Sequence, residues 1–133
     1  MSIDSMREHY ENAGKNYEAA NRAPDDRTKA AYQEEGDKEY GKAHEEAENA
    51  KQQINNEACK EAKGYYDKSA EAYEKGNTKA AKEYQEKGDK VMSDAKEKEK
   101  EIEKEEQKAA SEARNKMDGL EKTRYWFMLY MLC

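Results

Sequence analysis

Alanine and tyrosine stand in this chain where leucine and its relatives usually build a core. Ile, Leu, Val and Phe together supply eight of 133 residues, while Ala supplies nineteen and Tyr ten. So small an aliphatic share normally leaves a chain disordered, because burial cannot offset the entropy lost on ordering. A helical bundle escapes that outcome if alanine seams pack closely and tyrosine rings supply contact area. Spacing decides between the two. Ile3, Met6, Tyr10, Ala13, Tyr17 and Ala20 recur at steps of three and four, which draws one apolar stripe along an amphipathic helix.

Pro24 ends that first stripe, since its ring clashes with the preceding turn and it has no N–H to donate. Asp25 and Asp26 then offer side-chain oxygens to open a second helix. Beyond Gly36 a longer stripe runs through Tyr40, Ala43, Ala47, Ala50, Ile54, Ala58, Ala62, Tyr65, Ser69 and Ala72, predicting a nearly continuous helix to the stop at Gly76-Asn77. Gly76 suits a left-handed cap. From Thr78 a third stripe passes Ala81, Tyr84, Gly88, Val91 and Ala95 into "KEKEKEIEKEEQK" at 96–108. Ile102 is the sole apolar residue of that tract. Glu–Lys pairs four apart can hold it as a solvated, coiled-coil-like helix that Gly119 ends.

One phrase is written twice. "TKAAYQEEGDK" occupies 28–38 and "TKAAKEYQEKGDK" occupies 78–90; without Lys82 and Glu83, ten of eleven aligned residues agree. The phrase lacks the spacing of a phosphate loop and the alternating oxygens of a calcium loop. It reads as scaffold, with Gly36 and Gly88 at turns and Asp37 and Asp89 in the first turn after each glycine. Because two extra residues rotate a helix by about 200°, the two copies should not superimpose throughout. The expected fold is all-α: an antiparallel bundle of helical hairpins with a long charged C-terminal helix. The expected division is a first repeat at 1–58, a second at 59–119 and an apolar tail at 120–133.

The second copy, "KSAEAYEKGNTKAAKEYQEKGDK" at 68–90, resembles domain of unknown function 1771, the helical segment found N-terminal to small MutS-related (Smr) domains. Ala70, Ala72, Tyr73, Gly76, Asn77, Ala81, Lys82, Glu83 and Gly88 carry the resemblance in register. In the first copy, Gly36, Ala50 and Ile54 within "GDKEYGKAHEEAENAKQQIN" are similar to the same family's downstream half. Glu106 departs from the pattern, standing where an aliphatic residue is usual. The resemblance implies an all-helical accessory module without catalytic residues, whose relatives are attached to nucleases of RNA or DNA quality control. Smr domains carry histidine-glycine motifs; here His9 precedes Tyr10 and His44 precedes Glu45.

No reaction is legible. The two histidines have no HExxH spacing, no cysteine partner and no triad arrangement, and both are expected to face solvent. Cys59, next to the seam residue Ala58, is expected to be buried or half-buried. The many carboxylates lack the apolar surroundings that shift a pKa for acid–base work. No cofactor and no metal are expected. The net charge of −6 with 42% charged residues describes a mixed surface, which does not steer the whole molecule onto nucleic acid.

One constellation interleaves rings and cations. Tyr65, Tyr66 and Tyr73 lie among Lys68, Lys75 and further lysines, as on a single-stranded nucleic-acid surface; alternatively Tyr65 and Tyr73 are core spacers and the lysines pair with neighbouring glutamates. The expected function is a non-catalytic interaction module with a protein partner, RNA being the second candidate. The alternatives are a tetratricopeptide-like peptide-binding hairpin and a largely solvated helical spacer. "AYEKGN" followed by Ala81 is similar to the tetratricopeptide turn, yet Ala72 stands where a large aromatic is usual and there is no 34-residue period. A cytoplasmic or nuclear protein is expected, not a secreted one, since "MSIDSMREHY" reads as no signal peptide and two cysteines make no disulfide framework. The run at 125–133 is too short for a membrane span. It is a strip that packs on the bundle, a short interfacial anchor, or a non-native end.

Overall fold

The computed structural model describes residues 3–117, so the tail at 120–133 and Gly119 lie outside the described residues. It is all-α: α1 runs Ile3–Asn21, α2 Asp26–Glu74 and α3 Thr78–Arg114, with no strand among the described residues. No helix among them is long and apolar enough to cross a membrane.

Both connections are built from local hydrogen bonds. Asp25 caps α2, its carboxylate accepting the Thr28 amide at 2.7 Å and the Thr28 hydroxyl at 3.1 Å. At the other turn Gly76 takes φ +80°, its amide donates to the Tyr73 carbonyl, and the Asn77 amide donates to the Ala72 carbonyl at 2.9 Å. These two bonds make a Schellman C-cap. Asn77 then caps α3, accepting the Ala80 amide at 3.1 Å. Pro24 lies in the first connection, outside both flanking helices.

Gly36 and Gly88, expected at turns, lie instead within α2 and α3. Neither has a positive φ. The helix runs through each because its neighbours are good helix formers and a tyrosine ring occupies the space a side chain would need, so α2 starts ten residues before Gly36 and reaches 49 residues.

The described residues form two compact units, 3–47 with 104–117, and Glu48–Glu103. This grouping does not follow a linear division at residue 58, where α2 continues unbroken. In the first unit α1 packs antiparallel to the early part of α2, and the end of α3 runs antiparallel to that part of α2. Its core is Met6, Tyr10, Ala13, Tyr17, Ala20, Ala43, Ala47, Ala110, Ala113 and Met117. The second unit is an antiparallel hairpin of the rest of α2 and the early part of α3, with Ala58, Ala62, Ala81, Ala95 and Ile102 buried along its seam.

Part of the charged tract is not the solvated projection the sequence suggests. From residue 104 onward α3 belongs to the first unit, and Glu105 and Glu106 each take a partner there. Ile102, in the second unit, is 4% exposed.

Candidate functional site

The repeated phrase forms the same device in each unit. In the first, the Tyr17 ring lies against Gly36, so close that a Cβ there would stand 2.6 Å from the ring, and its hydroxyl donates to Asp37 Oδ1 at 2.7 Å. In the second, the Tyr66 ring lies against Gly88, again 2.6 Å from where a Cβ would stand, and its hydroxyl donates to Asp89 Oδ1 at 2.6 Å. Glycine gives the ring room and the next residue receives the phenol. Asp37 and Asp89 therefore fasten one helix to another.

Counting from the caps removes the apparent insertion. Gly36 is eleven residues beyond Asp25, and Gly88 is eleven beyond Asn77. In that register Tyr32-Gln33-Glu34 and Gly36-Asp37-Lys38 meet Tyr84-Gln85-Glu86 and Gly88-Asp89-Lys90 without a gap. The "TKAA" segments are what slide, beginning in the third residue of α2 but the first of α3.

Around the first device the polar groups are also taken up. His9, expected at the surface, is half-buried, with Nδ1 2.5 Å from Glu39 and Nε2 3.5 Å from Glu46. Through Glu39 this imidazole ties α1 to α2. The exposed His44 has Nδ1 3.0 Å from Glu106 Oε2, which also accepts the Tyr10 hydroxyl at 2.7 Å. The Tyr10 and Tyr40 rings meet edge to face at 4.9 Å, and the Tyr40 hydroxyl accepts from Arg114 at 2.8 Å.

Arg7 donates to Glu105 at 2.6 Å and holds that carboxyl below its usual range, chiefly through this hydrogen bond. Lys116 does the same to Glu18 at 2.9 Å. Among the described residues, Glu46 Oε2 is the one buried side-chain oxygen without a hydrogen-bond partner.

The ring-and-cation constellation is divided over two flanks of the second unit. Adjacent helical residues diverge by about 100°, so Tyr65 and Tyr66 cannot share a face. Tyr66 and Tyr73 line a groove with Ser69, Ala70, Lys82 and Gln85. Tyr73, which as a core spacer would be buried, is 70% exposed. Tyr65 is half-buried. Lys68 turns the other way, its Nζ 5.8 Å from the Tyr84 ring centre, with Lys87 at 5.6 Å from the same ring. Lys75 pairs with Glu71 at 3.2 Å. Cys59 is exposed, since one helical step turns it away from the buried Ala58.

Asp89 raises the Tyr66 pKa above the usual tyrosine value, first through the hydrogen bond, then through burial and the carboxylate's charge. The linked stability is therefore present below the ordinary tyrosine range, about pH 10, and lost as pH rises through the raised value. In an ultraviolet difference titration against Tyr66→Phe, Asp89→Asn is expected to move Tyr66 ionisation to lower pH. An unchanged midpoint would show that the bond does not form in solution.

Comparison with protein-family models, curated proteins and solved structures finds no match to this chain.

Proposed function

We propose that this protein is a non-catalytic helical interaction module, related to the accessory segment that accompanies Smr domains. Its second unit presents Tyr66 and Tyr73 to a protein partner. The observation that carries this reading is Tyr73: a chain with few large apolar residues leaves this ring 70% exposed beside a half-covered Tyr66. Exposed aromatics grouped over a groove are the usual anchors of protein interfaces. The polar groups around the first device support a module without chemistry, because His9, His44, Tyr10 and Glu106 are engaged in contacts between helices.

A second reading, association with single-stranded RNA, is favoured by Lys68 and Lys87 flanking Tyr84, since rings beside cations stack bases. Photo-crosslinking separates the two. With p-benzoylphenylalanine at position 73 of the full chain, a discrete polypeptide adduct that survives ribonuclease is expected from a native extract. A ribonuclease-sensitive adduct from position 84, with none at 73, would move the assignment to RNA. No adduct from either position would overturn both readings.

A further inference from the structure

The two tyrosine–glycine–aspartate devices differ in cover: the first is fully buried and the second is partly exposed. Tyr17 is 0% exposed, whereas Tyr66 is 37% exposed. What covers the first flank is the end of α3 and the turn that follows it. Ala113 and Lys116 stand over Gly14, Lys116 pairs with Glu18, and the Asn21 amide group donates to the Lys116 carbonyl at 2.7 Å. Arg114 and Glu106 reach Tyr40 and His44 from the same segment.

Aligning the hairpins on their tyrosines and glycines carries these positions into the second unit. Gly14, Glu18 and Asn21 become Lys63, Asp67 and Ala70; Tyr40 and His44 become Met92 and Lys96. The second unit is built from two helical segments only, and on this side it has the groove of Tyr66, Ala70, Tyr73, Lys82 and Gln85. Lys63 is already paired with Asp67. Among the described residues Lys82 and Lys96 are exposed and in no ion pair.

We propose that this flank takes a third helix from a protein partner, running parallel to the second half of α2. It would present small apolar residues at three-and-four spacing, as Ala110 and Ala113 do ahead of Met117 in the first unit. Acidic residues bordering that stripe complement Lys82 and Lys96, which make no ion pair of their own, with Glu74 the one acidic residue lining the groove. Small residues suit the site because a helix must come close to cover both rings. The assignment rests on the second unit being the interaction surface, and it names what that surface accepts.

The test uses the full chain, isotope-labelled, titrated with a stapled helical peptide of its own residues 104–117 that carries this stripe, with Lys108→Gln and Lys116→Gln so that its three glutamates outnumber its two remaining cations. The expected result is saturable amide shifts at Tyr66, Ala70, Tyr73, Lys82 and Gln85. Affinity should fall at least tenfold in the exposed-site variant Ala70→Glu and with a peptide bearing Ala110→Glu and Ala113→Glu. Shifts confined to the first unit, equal binding of both peptides, or no saturable shift would overturn the proposal. So would concentration-dependent self-association of the peptide-free chain that Tyr73→Ala abolishes, because a second copy would then be the occupant. A discrete polypeptide crosslink at position 73 together with peptide failure would leave the interaction reading standing and remove the helix.

Discussion

Tyr17→Ala is expected to destabilise the first unit by about 3–5 kcal/mol, the range for truncating a fully buried aromatic. Three losses coincide. The ring is 0% exposed, so its whole contact area is forfeited. Asp37 loses the phenol that donates to it at 2.7 Å. Gly36, which has no side chain, is left facing a void that the helix backbone cannot close. Stability of a small domain is only about 5–15 kcal/mol, so thermal unfolding monitored by circular dichroism should shift by well over ten degrees, taking roughly 4–8 °C per kcal/mol. Tyr66→Ala, at a ring 37% exposed, should cost clearly less. Equal costs at the two positions would show that burial does not separate the devices.

The second large effect has an unusual sign. Replacing a mid-helix glycine by alanine normally gains about 0.5–1 kcal/mol, and Gly41→Ala and Gly64→Ala should show that gain, since nothing lies within 4 Å of a Cβ at either site. Gly36→Ala should instead cost about 1–3 kcal/mol, the usual cost of overpacking. Its Cβ would stand 2.6 and 2.8 Å from two carbons of the Tyr17 ring, and a fully buried ring has nowhere to retreat. Gly88→Ala meets Tyr66 at the same 2.6 Å, but that ring is partly exposed and can swing out, trading its bond to Asp89 for helix propensity. It should come out near neutral. Denaturant midpoints of the four variants give the comparison. If Gly36→Ala were as stable as Gly41→Ala, the ring would not be seated on that glycine.

What the two devices share was half legible in the chain. The doubled phrase advertised a repeated piece of scaffold, and its glycine-aspartate pair was the conspicuous part. Its partner was not, because Tyr17 and Tyr66 lie outside the phrase, nineteen and twenty-two residues before their glycines. Within one helix glycine destabilises, so the sequence alone predicts a break there. In these two helices its lack of a side chain is what the neighbouring ring requires. The signal the sequence does carry is a tyrosine at helical-hairpin distance ahead of each glycine. For His9 there was none: its spacing fixes a helix face but does not say which carboxylates α2 brings to it.

The helical class and the two turns that separate α1, α2 and α3 followed from local chemistry, whereas the breaks expected at Gly36 and Gly88 did not form. Three-and-four spacing of Ala and Tyr, Pro24 and Asp25 at one turn, and Gly76 and Asn77 at the other act over a few residues, so the chain alone determined them. Burial did not follow, because it depends on how many neighbours a stripe acquires. Tyr17 and Tyr66 hold the same place in the two devices, yet one is fully buried and the other is left partly exposed. Tertiary packing decided that difference: among the described residues the hairpin of Tyr17 has a third helical segment along its flank and the hairpin of Tyr66 has none.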